Sequence, residues 1–126
     1  MSFPEEYYLF FQKFNEGEYY ECHDLLEEIW MGQKQNKYLQ GMLQMTVGIY
    51  HFEYGNIKGA RLMLESGKQY LLPYRPFYWG VNVDEVIQFI DQCLSVLPEK
   101  DSISLEEVKK IPFPAIQLQL QEEPLS

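Results

Sequence analysis

Apolar side chains recur at helical spacing along most of this chain. Tyr7, Phe10, Phe11 and Phe14 fall three and four residues apart and predict a first helix. Pro4, Glu5 and Glu6 suit its start, and Asn15-Glu16-Gly17 breaks it. A second helix is expected from about Glu18 to Met31, with Tyr19, Cys22, Leu26, Ile29 and Trp30 as its core stripe. Glu21, Asp24 and Glu28 lie on the opposite side, while His23 and Glu27 stand one turn apart at the border of the stripe. Gly32 to Asn36 reads as a short loop. The stretch from about Lys37 to Tyr54 is apolar nearly all round, the mark of a central helix. Gln40, Gln44 and His51 interrupt it within one narrow strip beside Val47. Gly41 and Gly48 form a smooth strip that lets another helix approach, which would offset the roughly 1 kcal/mol of helix propensity each glycine loses.

Gly55-Asn56 ends the third helix and caps a fourth over about Ile57 to Leu72, with Ile57, Ala60, Leu64 and Leu71 facing inward. Pro73 stops it, and residues 73–80 read as an aromatic loop. Asn82 with Glu85 predicts the cap of a fifth helix carrying Val83, Val86, Ile90, Leu94 and Leu97 as far as Pro98. Ser104 with Glu107 predicts a short sixth helix closed by Lys109 and Lys110. Beyond Pro112 and Pro114, Ile116, Leu118 and Leu120 alternate with glutamines, as an extended strip lying on the body would. Placement of Gly17 to Cys22 is echoed by Gly55 to Ala60, which supports stacked helix pairs. The expected fold is therefore all-α: a compact bundle of about five antiparallel helices with a short extra C-terminal helix and an extended tail. Residues 1–111 form the helical domain in this reading, and residues 112–126 the tail.

Composition narrows the function classes. The chain has 126 residues, 46% of them apolar and 16% aromatic, enough to offset ordering entropy in one domain. Its 19 acids against 10 bases give a net charge of −9, which argues against nucleic acid as a partner. Residues 1–30 hold 8 acids and 1 base, residues 31–75 hold 2 and 6, and residues 76–126 hold 9 and 3. A basic middle between acidic flanks attracts them within one molecule and could also guide self-association. The longest apolar stretch is interrupted by Gln40, Gln44 and His51, so no membrane span is expected. Cys22 and Cys93 sit in apolar patterns and read as free buried thiols of a reducing cytoplasm. No basic-then-apolar leader opens the chain, which points away from secretion.

The polar groups on apolar faces are His23, Glu27, Gln40, Gln44 and His51, with Trp30 nearby as pocket wall or core filler. If the second and third helices pack antiparallel, His23 with Glu27 and Gln44 with His51 converge. The leading reading is a small cytoplasmic helical protein of unknown biochemical role whose polar set is chiefly structural, and three uses are open to that set. It can be a hydrogen-bonded network that fixes helix register. It can line a small-ligand or catalytic pocket with a His–Glu base. In the third reading His23, Glu27 and His51 hold a divalent metal that activates water for hydrolysis. No phosphate-cradling loop or nucleophile elbow is present, and no cofactor is implied. A homo-oligomer or protein partner would meet the aromatic loop 73–80 or the tail 112–126.

Three ordered blocks carry a resemblance. Phe14-Asn-x-Gly17-x-Tyr19-Tyr20-Glu21-x-His23-Asp24-Leu-Leu-Glu27-Glu28-Ile-Trp30 is the first. Leu39-Gln40-Gly41-x-x-Gln44-x-x-x-Gly48-x-Tyr50-His51 is the second, and Gly55-Asn56-x-x-Gly59-Ala60 the third. Together, over about residues 10–72, they resemble the bacterial and plastid family called domain of unknown function 309. The resemblance implies a compact all-α fold and places His23, Glu27, Gln40, Gln44 and His51 at the family's typical polar positions. It implies no activity; the setting expected from the thiols is cytoplasmic, or the plastid stroma in a photosynthetic eukaryote. Asp24 stands where Glu is usual, which shortens the reach of a carboxylate there, and Thr46 where Ala is usual.

Overall fold

A computed structural model describes residues 3–121. Its helices are α1 (Glu5–Asn15), α2 (Tyr19–Met31), α3 (Lys37–Glu53), α4 (Ile57–Leu71), α5 (Val83–Val96) and α6 (Leu105–Lys110). Their ends are set by side chains that satisfy free backbone donors. Asn36 Oδ1 accepts from Leu39 N at 3.2 Å, Asn56 Oδ1 from Gly59 N at 3.0 Å, Asn82 Oδ1 from Glu85 N at 3.0 Å and Ser104 Oγ from Glu107 N at 3.1 Å. The Asn82 and Ser104 caps match the sequence expectation. Asn36, read there as loop, is the cap of α3.

Successive helices pack antiparallel. The Cys22 thiol approaches Phe10 O at 3.7 Å, Tyr20 meets Tyr50, and Lys68 pairs with Asp91 at 2.7 Å. Helix α3 is central, with α2 on one side and α4 on the other. Its glycines explain how close α4 comes. A Cβ on Gly41 would lie 2.8 Å from Leu71 Cγ, and one on Gly48 2.8 Å from Leu64 Cγ. Tyr7, Phe10, Phe14, Leu26, Met42, Met45, Leu64 and Ile90 fill the core.

The segment expected as an aromatic loop folds further. Leu72–Tyr74 makes one 3₁₀ turn, and β1 (Phe77–Tyr78) pairs antiparallel with β2 (Val81–Asn82) across Trp79-Gly80. Both turn residues have positive φ, 46° and 73°, which suits the twist of a two-residue hairpin. Tyr38 donates to Tyr7 Oη at 2.7 Å, and Tyr7 donates to Trp79 O at 2.8 Å. The hairpin is thus tied to the core, and burial holds both hydroxyls well above the ordinary tyrosine range.

Residues 112–121 run extended over the same body. Leu118 N donates to Asn15 Oδ1 at 2.8 Å, Asn15 Nδ2 donates to Leu118 O at 2.9 Å, and Gln121 N donates to Gly80 O at 2.7 Å. Leu118 is buried, its glutamine neighbours are exposed, and Phe113 stacks on Phe52 with centroids 3.9 Å apart. The apolar side of this segment is occupied by its own domain; residues 122–126 of the expected tail lie outside the described residues. Two ion pairs and one carbonyl contact link the basic middle to the acidic C-terminal flank. Lys68 holds Asp91, Arg75 holds Asp84, and Arg61 donates to Pro98 O at 2.8 Å. Among the described residues no helix is long and apolar enough to cross a membrane.

Candidate functional site

Helices α2 and α3 part near the α2 N-terminus and leave a recess. Its volume is about 190 Å³, and its wall is Tyr19, Tyr20 and His23 from α2 with Val47, Tyr50 and His51 from α3. Four of these residues follow from helical spacing. Val47 and His51 are one turn apart on α3, and His23 lies one turn beyond Tyr19 on α2. Pairing of Tyr20 with Tyr50, centroids 5.6 Å apart, brings the two faces together.

His23 is flanked by carboxylates at both ring nitrogens: Nε2 lies 3.3 Å from Glu27 Oε2 and Nδ1 lies 3.4 Å from Asp24 Oδ1. A neutral ring can donate to only one of them, a protonated ring to both. The pair is half-exposed, with His23 at 38% and Glu27 at 49% of side-chain surface. Such exposure puts the contribution of the pair below the roughly 1–3 kcal/mol that a buried polar group costs when unpaired. At this exposure an ion pair contributes about 0.2–1 kcal/mol. His23→Ala is accordingly expected to shift the urea midpoint by no more than that stability implies. A loss above about 2 kcal/mol would show that the imidazole packs or bonds in a way the pair does not account for.

His51 is held differently. Asn56 Oδ1 is committed to Gly59 N, so its Nδ2 faces the ring and donates to His51 Nδ1 at 3.1 Å. A neutral His51 therefore carries its proton on Nε2. One asparagine thus caps α4 and sets the tautomer of a cavity residue.

The remaining sequence candidates lie elsewhere along the seam. Trp30 and Gln40 belong to the end of the α2–α3 pair that the 32–36 loop closes, and Gln44 lies between that end and the cavity. Trp30 Nε1 and Gln44 Oε1 are buried and make no hydrogen bond. The set His23, Glu27, Trp30, Gln40, Gln44 and His51 does not meet at one point: the two imidazoles share a cavity, Glu27 reaches it only through His23, and the amides and indole do not wall it. Among the described residues no three His, Cys, Asp or Glu side chains group as metal ligands, so the His23, Glu27 and His51 triad does not form.

Tyrosines are what sequence reasoning missed. Tyr19 packs against the core as its stripe position predicts and also walls the cavity, whereas the sequence patterns give Tyr20 and Tyr50 no role. Their signal was the doubled aromatic beside each histidine stretch, Tyr19-Tyr20 ahead of His23 and Tyr50 next to His51. Burial, then the nearby Glu53 carboxylate, raises Tyr19. A hydrogen bond with Tyr54, followed by burial, pushes Tyr50 up to about 12. Glu53 is itself raised, by burial and then by Glu18. Away from the cavity, Cys22 and Cys93 are free and buried, and burial pushes both thiols up to about 12, so neither is a thiolate nucleophile at neutral pH.

Residues 7–63 match the profile of a family described as a domain of unknown function (DUF309). The matched stretch is similar to that family over its whole length. It contains the whole cavity wall and Asn56, whereas the hairpin, α5, α6 and the extended segment lie beyond it. Over 69 residues the chain is 36% identical to the uncharacterized protein YpuF of Bacillus subtilis (strain 168), covering 51% of this chain and 40% of that one. An uncharacterized protein of Aquifex aeolicus (strain VF5) is 20% identical over 83 residues, 64% of this chain and 25% of its own length. The chain thus spans less than half the length of either relative. No solved structure matches it. Neither DUF309 nor these relatives carries an assigned biochemical role.

Proposed function

We propose that the cavity between α2 and α3 is a small-ligand site and that the domain is a binding module. The observation that carries this is one recess of about 190 Å³ walled by apolar and aromatic side chains, with two differently held imidazoles on it. Apolar concavity with a few placed polar groups is the usual make-up of such sites. A dry cavity of roughly 150 Å³ is enough to take up a benzene-sized guest, so the occupant is a compact molecule. Two free buried thiols support a reducing, cytoplasmic setting. A net charge of −9 supports a ligand other than nucleic acid.

Val47 is half-buried and part of the cavity wall, which makes it the position to plug. Fragment titration followed by NMR is expected to move the Tyr20, His23, Tyr50 and His51 resonances together. Val47→Trp is expected to abolish those shifts while circular dichroism stays helical. Shifts that persist in the plugged variant, or a fragment set that never moves these four residues, would overturn the proposal.

A further inference from the structure

Building on the reading of the α2–α3 cavity as a ligand site, we infer that its ligand is a small organic cation of the quaternary-ammonium class, caged by tyrosine rings. Tyr19, Tyr20 and Tyr50 wall the cavity, and Tyr54 extends the aromatic surface. Tyr20 and Tyr50 are tilted by 51°, and Tyr50 and Tyr54, with centroids 4.7 Å apart, by 65°. Rings that touch at such angles do not cover one another face to face, so ring faces are left to meet a guest. Each ring face carries partial negative charge and attracts a cation within about 6 Å. Tyr20 and Tyr54 are each 63% exposed, so much of their surface is unused by the fold.

Charge around the cavity has the matching sign. Glu53 acts on the hydroxyls of both Tyr19 and Tyr50, and Glu18 acts on Glu53. Among the described residues neither Glu18 nor Glu53 forms a salt bridge. Lys13, the one base of residues 1–30, is engaged by Glu21 at 3.2 Å and Glu16 at 3.9 Å. His23, if protonated, faces the Glu27 and Asp24 carboxylates, which offset it. His51 accepts at Nδ1 and contributes no fixed charge in that state.

Alternative occupants fit less well. An anion meets the Glu53 and Glu18 carboxylates, and Lys13, which acts on Glu18, is held chiefly by Glu21 and Glu16. A bare metal ion needs converging ligands that are not there. A primary ammonium gives up strong hydration on entering an apolar wall. A quaternary ammonium is weakly hydrated, presents methyl groups to Val47 and the rings, and places its charge where Glu53 and Glu18 can act on it. The same head group occurs on free choline-like molecules and on trimethylated lysine in a peptide.

Calorimetric titration of the full chain with choline, with its neutral carbon isostere 3,3-dimethylbutan-1-ol and with a trimethyl-lysine peptide tests this. The better of the two cations is expected to bind at least about tenfold more tightly than the isostere. Whichever cation binds more tightly identifies the source, and either result supports the cage. Tyr20→Leu, at an exposed position, is expected to weaken cation binding at least about fivefold while leaving the isostere within about twofold. An isostere that binds as tightly as the cations would overturn the cation inference and leave the ligand-site reading standing. If no cation binds while other fragments move the cavity resonances, the outcome is the same; if nothing moves them, both readings fall.

Discussion

Gly55→Ala is expected to destabilise the fold by about 3–5 kcal/mol. Gly55 follows α3 with φ +78°, where an L side chain costs about 1–2 kcal/mol. A Cβ there would also lie 2.2 Å from Ile103 O, a backbone atom. The strand of chain before α6 would have to move, losing Ile103 N→Gly55 O at 2.9 Å and disturbing the Asn56–Ser102 bridge. Gly17 is the matched control. It too has a positive φ, +83°, but nothing lies within 4 Å of its Cβ position, so Gly17→Ala reports conformational strain alone. Urea denaturation of both variants separates the two contributions, and equal losses would show that the contact with Ile103 relaxes freely. Because Asn56 is next in sequence and holds His51, Gly55→Ala should also shift the His51 ring resonances.

Tyr7→Phe is expected to cost about 2–3 kcal/mol, since one lost hydroxyl strands two groups. Tyr38 Oη loses its acceptor at 2.7 Å and Trp79 O loses its donor at 2.8 Å, both inside the aromatic cover of the core. Adding Tyr38→Phe to that variant removes one of the stranded groups. The double variant should therefore recover about 1 kcal/mol relative to Tyr7→Phe alone. No recovery would mean that Tyr38 finds another partner once Tyr7 is gone.

Helix positions were legible because their causes are local. Spacings of three and four, the Asn56, Asn82 and Ser104 caps, and Pro73 or Pro98 as stops act within a few residues of one another. The hairpin over 77–82 was not legible. A two-residue turn with positive φ favours Asn-Gly, and nothing in Trp79-Gly80 announces it. Trp79 keeps its conformation where the Tyr7 hydroxyl holds its carbonyl and its ring packs on Phe3 and Tyr7. Those contacts come from more than seventy residues away.

By itself, the sequence determined which face of each helix is apolar, that α3 is central, that its glycines admit a close neighbour, and that His23 and His51 stand on faces able to meet. Tertiary structure decided where along the α2–α3 seam a cavity opens and who lines it. Helical spacing assigns a residue to a face but leaves its height against the next helix free. That height is set by the 32–36 loop and the Tyr20–Tyr50 contact, which place the tyrosines and both imidazoles around one recess and leave Trp30, Gln40 and Gln44 farther along.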